Sequence, residues 1–566
     1  MKKFTPFLFT SLFCLCLNGL AQSVQFTEVA REVGVLYSFI DPHDYGTGVT
    51  LYDINNDGND DLSFGAFEDE TLHFYLSYDS VFNATTFTGI NLQGYRSKCL
   101  MWVDYDNDGD KDLSVTTIEG PLFLYRNNGD DTFTDVSQQS GIGNRIMNAY
   151  ASAWADYDKD GDLDFYVVNR ETSFYGSRNR FFKNNGNGTF DDVSNLIGVY
   201  DAQGYGYGVT FLDYNKDGWP DIYIANDKAI SQNTLFKNLG NGYFVNVSDS
   251  ATTGIKMDGM GIAVGDYDNN GYEDLYITNT NQSSPDFGGN VFLKNNGDTT
   301  FTDIAEEENM RVFSTGWGTN MVDFNNDALL DIFVSNEGPN EFYQRNRLFI
   351  QQQDHHFLED STTSIYTTYK RSFSSTVGDI NNDGFYDIAV LNTAGENFSI
   401  WKSEGNQNNW IKIKLEGTVS NKDAIGSWIE LYFNGNKIER YTRCGESFGA
   451  QHSNNYIIGT GNATSIDSIF VKWPSSDIID KYYDVATKQS YLFVENETHL
   501  VDTTSTDTTT SDTTAITSII NNNALNISFS VFPNPTQNTF KVSTENIEGA
   551  STLEIFNIKG MLVKRY

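Results

Sequence analysis

Residues 104–113 read DYDNDGDKDL, with aspartate at 104, 106, 108, 110 and 112 around the single Gly109. The stretch is one of seven copies in a chain of 566 residues. The others are DINNDGNDDL from Asp53, DYDKDGDLDF from Asp156, DYNKDGWPDI from Asp213, DYDNNGYEDL from Asp266, DFNNDALLDI from Asp323 and DINNDGFYDI from Asp379. Their first aspartates are 51, 52, 57, 53, 57 and 56 residues apart. A fixed period of this length marks a repeat architecture in which each copy is one supersecondary unit.

Every copy has Asp or Asn at positions 1, 3 and 5 and Asp at position 9, and six of the seven have Gly at position 6. That is a calcium-loop pattern, because a hard divalent cation takes six to eight oxygens from alternating side chains, one backbone carbonyl and a later carboxylate. The side-chain ligands so assigned are Asp53, Asn55, Asp57 and Asp61 in loop one, then Asp104, Asp106, Asp108 and Asp112 in loop two. Loop three offers Asp156, Asp158, Asp160 and Asp164, and loop four Asp213, Asn215, Asp217 and Asp221. Asp266, Asp268, Asn270 and Asp274 form loop five, Asp323, Asn325, Asp327 and Asp331 loop six, and Asp379, Asn381, Asp383 and Asp387 loop seven. Position 7, held by Asn59, Asp110, Asp162, Trp219, Tyr272, Leu329 and Phe385, is chemically unrelated from copy to copy, as a backbone-carbonyl ligand permits. Ala328 replaces the turn glycine in loop six, so that site is expected to empty first or to adopt a distorted turn.

The loops are flanked by short apolar strands such as LMWVD before and DLYITN after, so each joins a hairpin rather than two helices. A second phrase recurs between them: LYRNNGDDTFTDVS around Phe133, FFKNNGNGTFDDVS around Phe190, LFKNLGNGYFVNVS around Phe244 and FLKNNGDTTFTDIA around Phe301, with weaker copies at Phe87 and Phe357. It supplies a third strand, an NG-type turn and a fourth strand. Four antiparallel strands per period, seven times over, predict an all-β fold whose main body is a seven-bladed β-propeller. The seventh period lacks a fourth strand after NFSIWKS, and VQFTEVAREVGV at Phe26 is an orphan copy expected to close the ring beside residues 398–401.

The net charge of -39, from 76 acids against 37 bases, excludes nucleic acid and anionic membrane as partners and leaves metal ions, basic partners and neutral ligands. Lys2, Lys3, the apolar run at 7–17 and the small residues before position 22 form a secretory signal over 1–21. Cys14 and Cys16 leave with it, so Cys99 and Cys444 remain and no disulfide framework is expected.

These motifs resemble the FG-GAP and VCBS repeats of integrin-α-type propellers, from about residue 25 to 402, including FGA at 64–66. The resemblance implies a calcium-loaded propeller over 22–407 with up to seven Ca²⁺ sites. Residues 408–497 alternate apolar and polar positions with NG turns, a compact β domain. Ile425-Gly426, Ser447, Gly459, Gly461 and Trp473-Pro474-Ser475 resemble the ASPIC/UnbV domain of bacterial proteins and of the cartilage acidic protein family, which implies matrix association without an assigned reaction. A Thr/Ser/Asp-rich linker follows over 498–522, and VFPNPTQNTFKVST with LEIFNIKGMLVKRY, over 523–566, resembles the type IX secretion sorting signal of Bacteroidetes, a partial β-sandwich-like domain lacking its last strand. That resemblance implies secretion or surface display through the type IX machinery.

Gly445-Glu446-Ser447-Phe448-Gly449 matches a nucleophile elbow, but no helical period follows it, so a structural turn is expected. His43, His73, His355, His356, His452 and His499 are scattered without metal spacing. No catalytic set is assigned. Trp219 and Trp317 stand beside loop or channel positions, where core packing or stacking on sugars is open to them. The functional expectation is an extracellular binding or adhesion module for a glycan or protein. The alternative is a polysaccharide lyase or glycosidase using the propeller face, and a third reading is a surface-layer component.

Overall fold

The computed structural model describes residues 24–502 except 40–45, 66–70, 93, 171–177, 201–204, 229, 282–287, 339–344, 477 and 498–499, together with the backbone of four strands beyond 528. The signal segment, most of the linker, Ala66, His43 and His499 lie outside the described residues. The chain divides into two compact units, Met1–Thr504 and Ser505–Tyr566.

The repeats form a β-propeller. In each copy a first strand enters the aspartate loop and a second leaves it: Val49–Tyr52 and Asp61–Phe64, Arg96–Val103 and Asp112–Gly120, Met147–Ala155 and Asp164–Asn169, Gly206–Leu212 and Asp221–Asn226, Gly259–Gly265 and Asp274–Asn279, Thr315–Val322 and Asp331–Glu337, Ser372–Gly378 and Asp387–Asn392. Third and fourth strands complete four-stranded antiparallel groups, and those of the second and third copies fuse where Met147 pairs with Gly120 and Asn148 with Ile118. The last group takes its outer strand from the N-terminal side, with Phe26 opposite Ser403, Thr27 opposite Lys402 and Glu28 opposite Trp401.

Burial explains the sequence pattern. Second strands are buried along nearly their whole length and are correspondingly rich in Ile, Val, Leu and aromatic residues, as strands covered on both faces must be. Outer strands such as Phe133–Asp135 and Phe190–Asp192 are three residues long and bury only the leading phenylalanine. From the third copy on, that phenylalanine packs on the aromatic residue at position 2 of the loop in the previous copy. Tyr105 meets Phe190 at 5.9 Å between ring centroids, Tyr157 meets Phe244 at 6.0 Å, Tyr214 meets Phe301 at 6.1 Å and Tyr267 meets Phe357 at 6.0 Å. Phe26 does the same for Phe324, at 5.8 Å.

Residues 409–502 form two four-stranded sheets around Ile411, Ile413, Ile429, Leu431, Ile469 and Val471. One sheet pairs Asn409–Glu416 with Tyr456–Gly461 and, in parallel, with Gln489–Val494. Val501–Asp502 adds a strand against Tyr491 and Leu492. The domain sits on the propeller's loop side as a cap within the same compact unit. Its segment 444–453 enters the channel between the first strands. Trp154 donates to the Cys444 carbonyl at 3.0 Å, Ser447 and Ile262 exchange backbone bonds of 2.7 and 3.2 Å, and Ser453 donates to Val377 at 3.1 Å. The approach is close enough that a Cβ on Gly48 would lie 1.8 Å from the Gly449 carbonyl oxygen.

In the second unit, Phe529–Pro533 pairs with Phe540–Thr544 and Glu554–Phe556 with Leu562–Arg565, both antiparallel.

Candidate metal centre

Each loop is pre-shaped by its own backbone. In six loops the position-1 carboxylate accepts from the amides of positions 5 and 6: Asp108 and Gly109 donate to Asp104 at 3.0 and 2.8 Å, and Asn270 and Gly271 to Asp266 at 2.9 and 2.8 Å; in loop four only Gly218 does so, to Asp213 at 3.0 Å. Position 4 is left-handed in every loop, with φ between 53° and 59° at Asn56, Asn107, Lys159, Lys216, Asn269, Asn326 and Asn382. Asparagine, which tolerates that region, holds five of the seven places, a signal present in the sequence and not used there. Loop six is not distorted. Ala328 takes φ 77°, and its amide still reaches Asp323 at 2.8 Å, so the expectation of an altered turn is corrected.

The position-9 aspartates do more than offer a ligand. Asp112 accepts from Tyr105 at 3.3 Å and from Asn127, on the third strand, at 2.7 Å. Asp61, Asp164, Asp274, Asp331 and Asp387 repeat both bonds, tying loop to sheet. In loop four the Asp221 Oδ2 has no partner among the described residues, although Oδ1 accepts from Asn238 at 2.7 Å. Burial pushes Asp61 up to about 8, and Asp112, Asp164, Asp221, Asp274, Asp331 and Asp387 well above the usual carboxylate range, with the loops' other carboxylates adding to the effect. Burial likewise lifts Asp104 and Asp266 to about 7 and Asp156 and Asp213 to about 6. Such groups favour a bound cation, which restores the charged form.

Carboxylate oxygens converge within 4.8 Å in three sets that can hold a metal ion: Asp104, Asp106 and Asp108; Asp156, Asp158 and Asp164; Asp266, Asp268 and Asp274. In loops one and seven a lysine of the cap reaches the first aspartate instead, Lys414 to Asp53 at 2.6 Å and Lys412 to Asp379 at 2.5 Å. In loop four the Trp428 indole donates to Asp213 at 3.2 Å.

The loops form a chain of contacts. Asn56 donates to the Gly109 carbonyl at 3.2 Å, Asn107 to Gly161 at 3.1 Å, Asn326 to Gly384 at 2.8 Å and Asn382 to the Asn59 side chain at 2.8 Å. The cap touches every one: besides the pairs above, Asp423 accepts from the Asp104 amide at 2.8 Å, Ser475 donates to Asp156, Arg443 pairs with Glu273, and the Asn325 carbonyl accepts from Asn408 at 2.9 Å. Sequence reasoning missed this second layer and also the buried Asn184, Asn238 and Asn295 of the KN dipeptides. Their amides donate to the carbonyls of Tyr105, Tyr157 and Tyr214 at 2.9, 2.9 and 2.8 Å, stapling each copy to the one before it.

The elbow-like motif is the tip of the channel segment. Ser447 Oγ accepts from the Thr319 amide at 3.0 Å, and Phe448 lies among Ile118, Tyr150, Tyr207, Met260, Trp317 and Phe373. Trp317 is therefore core, 4.9 Å from Phe448, and Trp219 lies under the Lys159 ammonium at 4.4 Å. Cys99 and Cys444 are buried free thiols in one cluster. Between propeller and cap is a cavity of about 70 Å³ whose lining includes Glu273, Arg443, Glu446 and His452. These groups engage one another: His452 meets Glu446 at 3.1 Å, and Glu446 meets Arg443 at 3.6 Å.

Family models match the chain as an FG-GAP-like repeat over 104–167, 172–224, 213–277 and 323–390, as ASPIC and UnbV over 417–500, and as a secretion system C-terminal sorting domain over 530–566. The chain is an FG-GAP-repeat β-propeller with an ASPIC/UnbV domain and a type IX sorting tail, which directs it to the extracellular or cell-surface space. Cartilage acidic protein 1 of Xenopus tropicalis is 29% identical over 318 residues, 51% of this chain and 47% of that protein, and the Homo sapiens protein is 27% identical over 279 residues, 44% and 40%. The chain spans about half the length of the curated relatives it matches or less. Among solved structures, YCF48 bound to D1 peptide is similar at 8% identity and a TM-score of 0.40, covering 68% of this chain and 96% of that one. AofleA from Arthrobotrys oligospora is similar at 14% identity and a TM-score of 0.33, covering 60% and 91%. Among the described residues no helix is long and apolar enough to cross a membrane.

Proposed function

We propose that this protein is a calcium-loaded extracellular binding or adhesion module for a glycan or protein, in which the metal is structural. The observation that carries the reading is the position of the aspartate loops: their first carboxylates are buried at the propeller's junction with the cap, and each loop bonds to it. An ion there neutralises carboxylates that burial disfavours and locks both the hairpin and the cap. The ions are not placed to meet an outside ligand. The seven strand groups are read as blades of one ring, closed by Phe26–Glu28 and by the hydrogen bond from Asn382 to Asn59. The four-carboxylate loops two and three, and loop five, hold calcium most tightly. Loops one and seven, whose buried first aspartate is already paired with a cap lysine, hold it less tightly; in loops three and five Lys183 and Lys294 pair only with the later Asp158, Asp160 and Asp268.

The test is a glycan and matrix-protein array probed with the mature chain, calcium-loaded and calcium-stripped. Selective retention of one ligand class by the loaded protein is the expected result. No retention on any feature, or release of cleaved glycan, refutes the binding reading.

A further inference from the structure

We infer that the outward face of the cap's second sheet is a docking surface for an acidic polysaccharide, an inference that rests on the binding role proposed above. The sheet runs Asn436–Tyr441, Trp428–Phe433, Ser465–Lys472, Ile479–Ala486. One end of this face is used by the propeller, through Trp428 on Asp213 and Glu439 on Lys216. The other end has no partner among the described residues. It carries Tyr432, Phe470 and Tyr483 on three neighbouring strands, with ring centroids 5.4 and 6.4 Å apart, and Tyr483 is 63% exposed.

Lysines interleave with these rings by register. Lys437 faces Tyr432, Lys481 faces Phe470, and Lys472 faces Ile479, itself 45% exposed. The Lys481 ammonium lies 5.2 Å from the Phe470 ring centre and that of Lys437 lies 5.7 Å from Tyr432. Lys472 and Lys437 share the buried Glu430, and Lys437 also pairs with Glu439 at 2.9 Å, while Lys481 makes no ion pair among the described residues. On this exposed aromatic face of a chain of net charge -39, Lys481 is the lysine left outside those pairs.

That combination selects the ligand class. Aromatic faces stack on the C–H faces of sugars, and ammonium groups pair with carboxylate or sulfate substituents. A peptide partner calls for a desolvated recess to receive an anchoring side chain. Here the rings stand across a sheet face instead, which suits an extended chain presenting sugar faces and acid groups in alternation.

The experiment is affinity electrophoresis of the full mature chain, calcium-loaded, through gels containing alginate, heparin or dextran, with poly-L-glutamate as a soluble competitor. Retardation by alginate or heparin but not dextran is expected, the responding gel naming uronate or sulfate as the acid group. Tyr483→Ala and Lys481→Glu, each with an unchanged circular dichroism spectrum, should weaken it at least tenfold. Equal retardation of native and variant chains would leave the binding role standing and overturn this face as its site. No retardation by either acidic gel overturns the ligand class, and if the array above is also silent the binding role fails with it. Binding of poly-L-glutamate with both polysaccharides inert would assign the face to an acidic protein and overturn the proposal.

Discussion

Replacing Phe448 by alanine removes the residue on which propeller and cap meet most intimately. Its ring is 3% exposed, 4.9 Å from Trp317 in an edge contact and 6.1 Å from Tyr207 in a stacked one, inside a socket built from first and second strands of different copies. Core Phe→Ala changes cost about 3–5 kcal/mol, and the upper part of that range applies where the walls cannot collapse. Here they cannot, because each wall is a strand held in its own sheet. Phe448→Ala should therefore cost about 4 kcal/mol, and Phe448→Leu, which keeps most of the volume, less than about 1.5 kcal/mol. Urea unfolding followed by tryptophan fluorescence and far-ultraviolet circular dichroism measures both. The two probes should shift together, because the channel segment joins cap and propeller into one cooperative unit. A loss under about 1 kcal/mol for alanine, or a cap transition separating from the propeller transition in the native protein, would refute the reasoning.

Gly384 sits at φ 83° with the Trp410 ring 1.8 Å from where a Cβ would stand, whereas Gly58, at φ 87°, has nothing within 4 Å. Gly384→Ala should cost well over 2 kcal/mol in chemical denaturation, and Gly58→Ala only the left-handed penalty of about 1 kcal/mol. Asn184→Ala leaves the Tyr105 and Leu163 carbonyls without the side-chain donor at 2.9 and 3.2 Å, and should cost about 1–3 kcal/mol in the same assay. Deleting 520–566 removes the sorting tail matched over 530–566 and should leave the protein in the periplasm of a type IX host, read by immunoblot of cell fractions. Unchanged surface or medium levels would contradict that role.

The propeller was legible because its period is carried by residues whose chemistry is specific. Loop aspartates and, in six copies, the turn glycine recur at fixed offsets, the outer-strand phenylalanine follows the first aspartate by 29 to 35 residues in copies two to six, and even the closing strand at Phe26 could be placed from its missing counterpart after Trp401. The cap's seat was not legible. It depends on contacts such as Lys414 to Asp53, 361 residues apart, made by residues with no repeat of their own. The place of the channel segment 444–453 was hidden for a different reason. Gly445, Ser447 and Gly449 all have positive φ, which fits the structural turn expected from sequence, but nothing local tells that the backbone of this turn spends its hydrogen bonds on the channel wall. Ala328 misled because a left-handed alanine costs only about 1 kcal/mol, which the amide bond to Asp323 and the surrounding packing offset.

Calcium removal tests the central claim most directly. The mature chain, loaded with calcium or chelated and passed into calcium-free buffer, would be assayed for bound metal and melted by calorimetry at pH 8 and pH 6.5. Stripping should lower the midpoint at pH 8, where loop carboxylates repel one another unrelieved. In the stripped protein the midpoint should then rise on going to pH 6.5. Asp61, Asp104 and Asp266 titrate at about 8, 7 and 7 when folded, above the unfolded carboxylate, so their stabilising protonation is complete below the unfolded value and lost as pH rises through 7 to 8. The loaded protein should show the opposite slope, since protons then compete with the ion. A midpoint unmoved by chelation, with calcium confirmed absent, would contradict the account and make the seven loops ordinary turns.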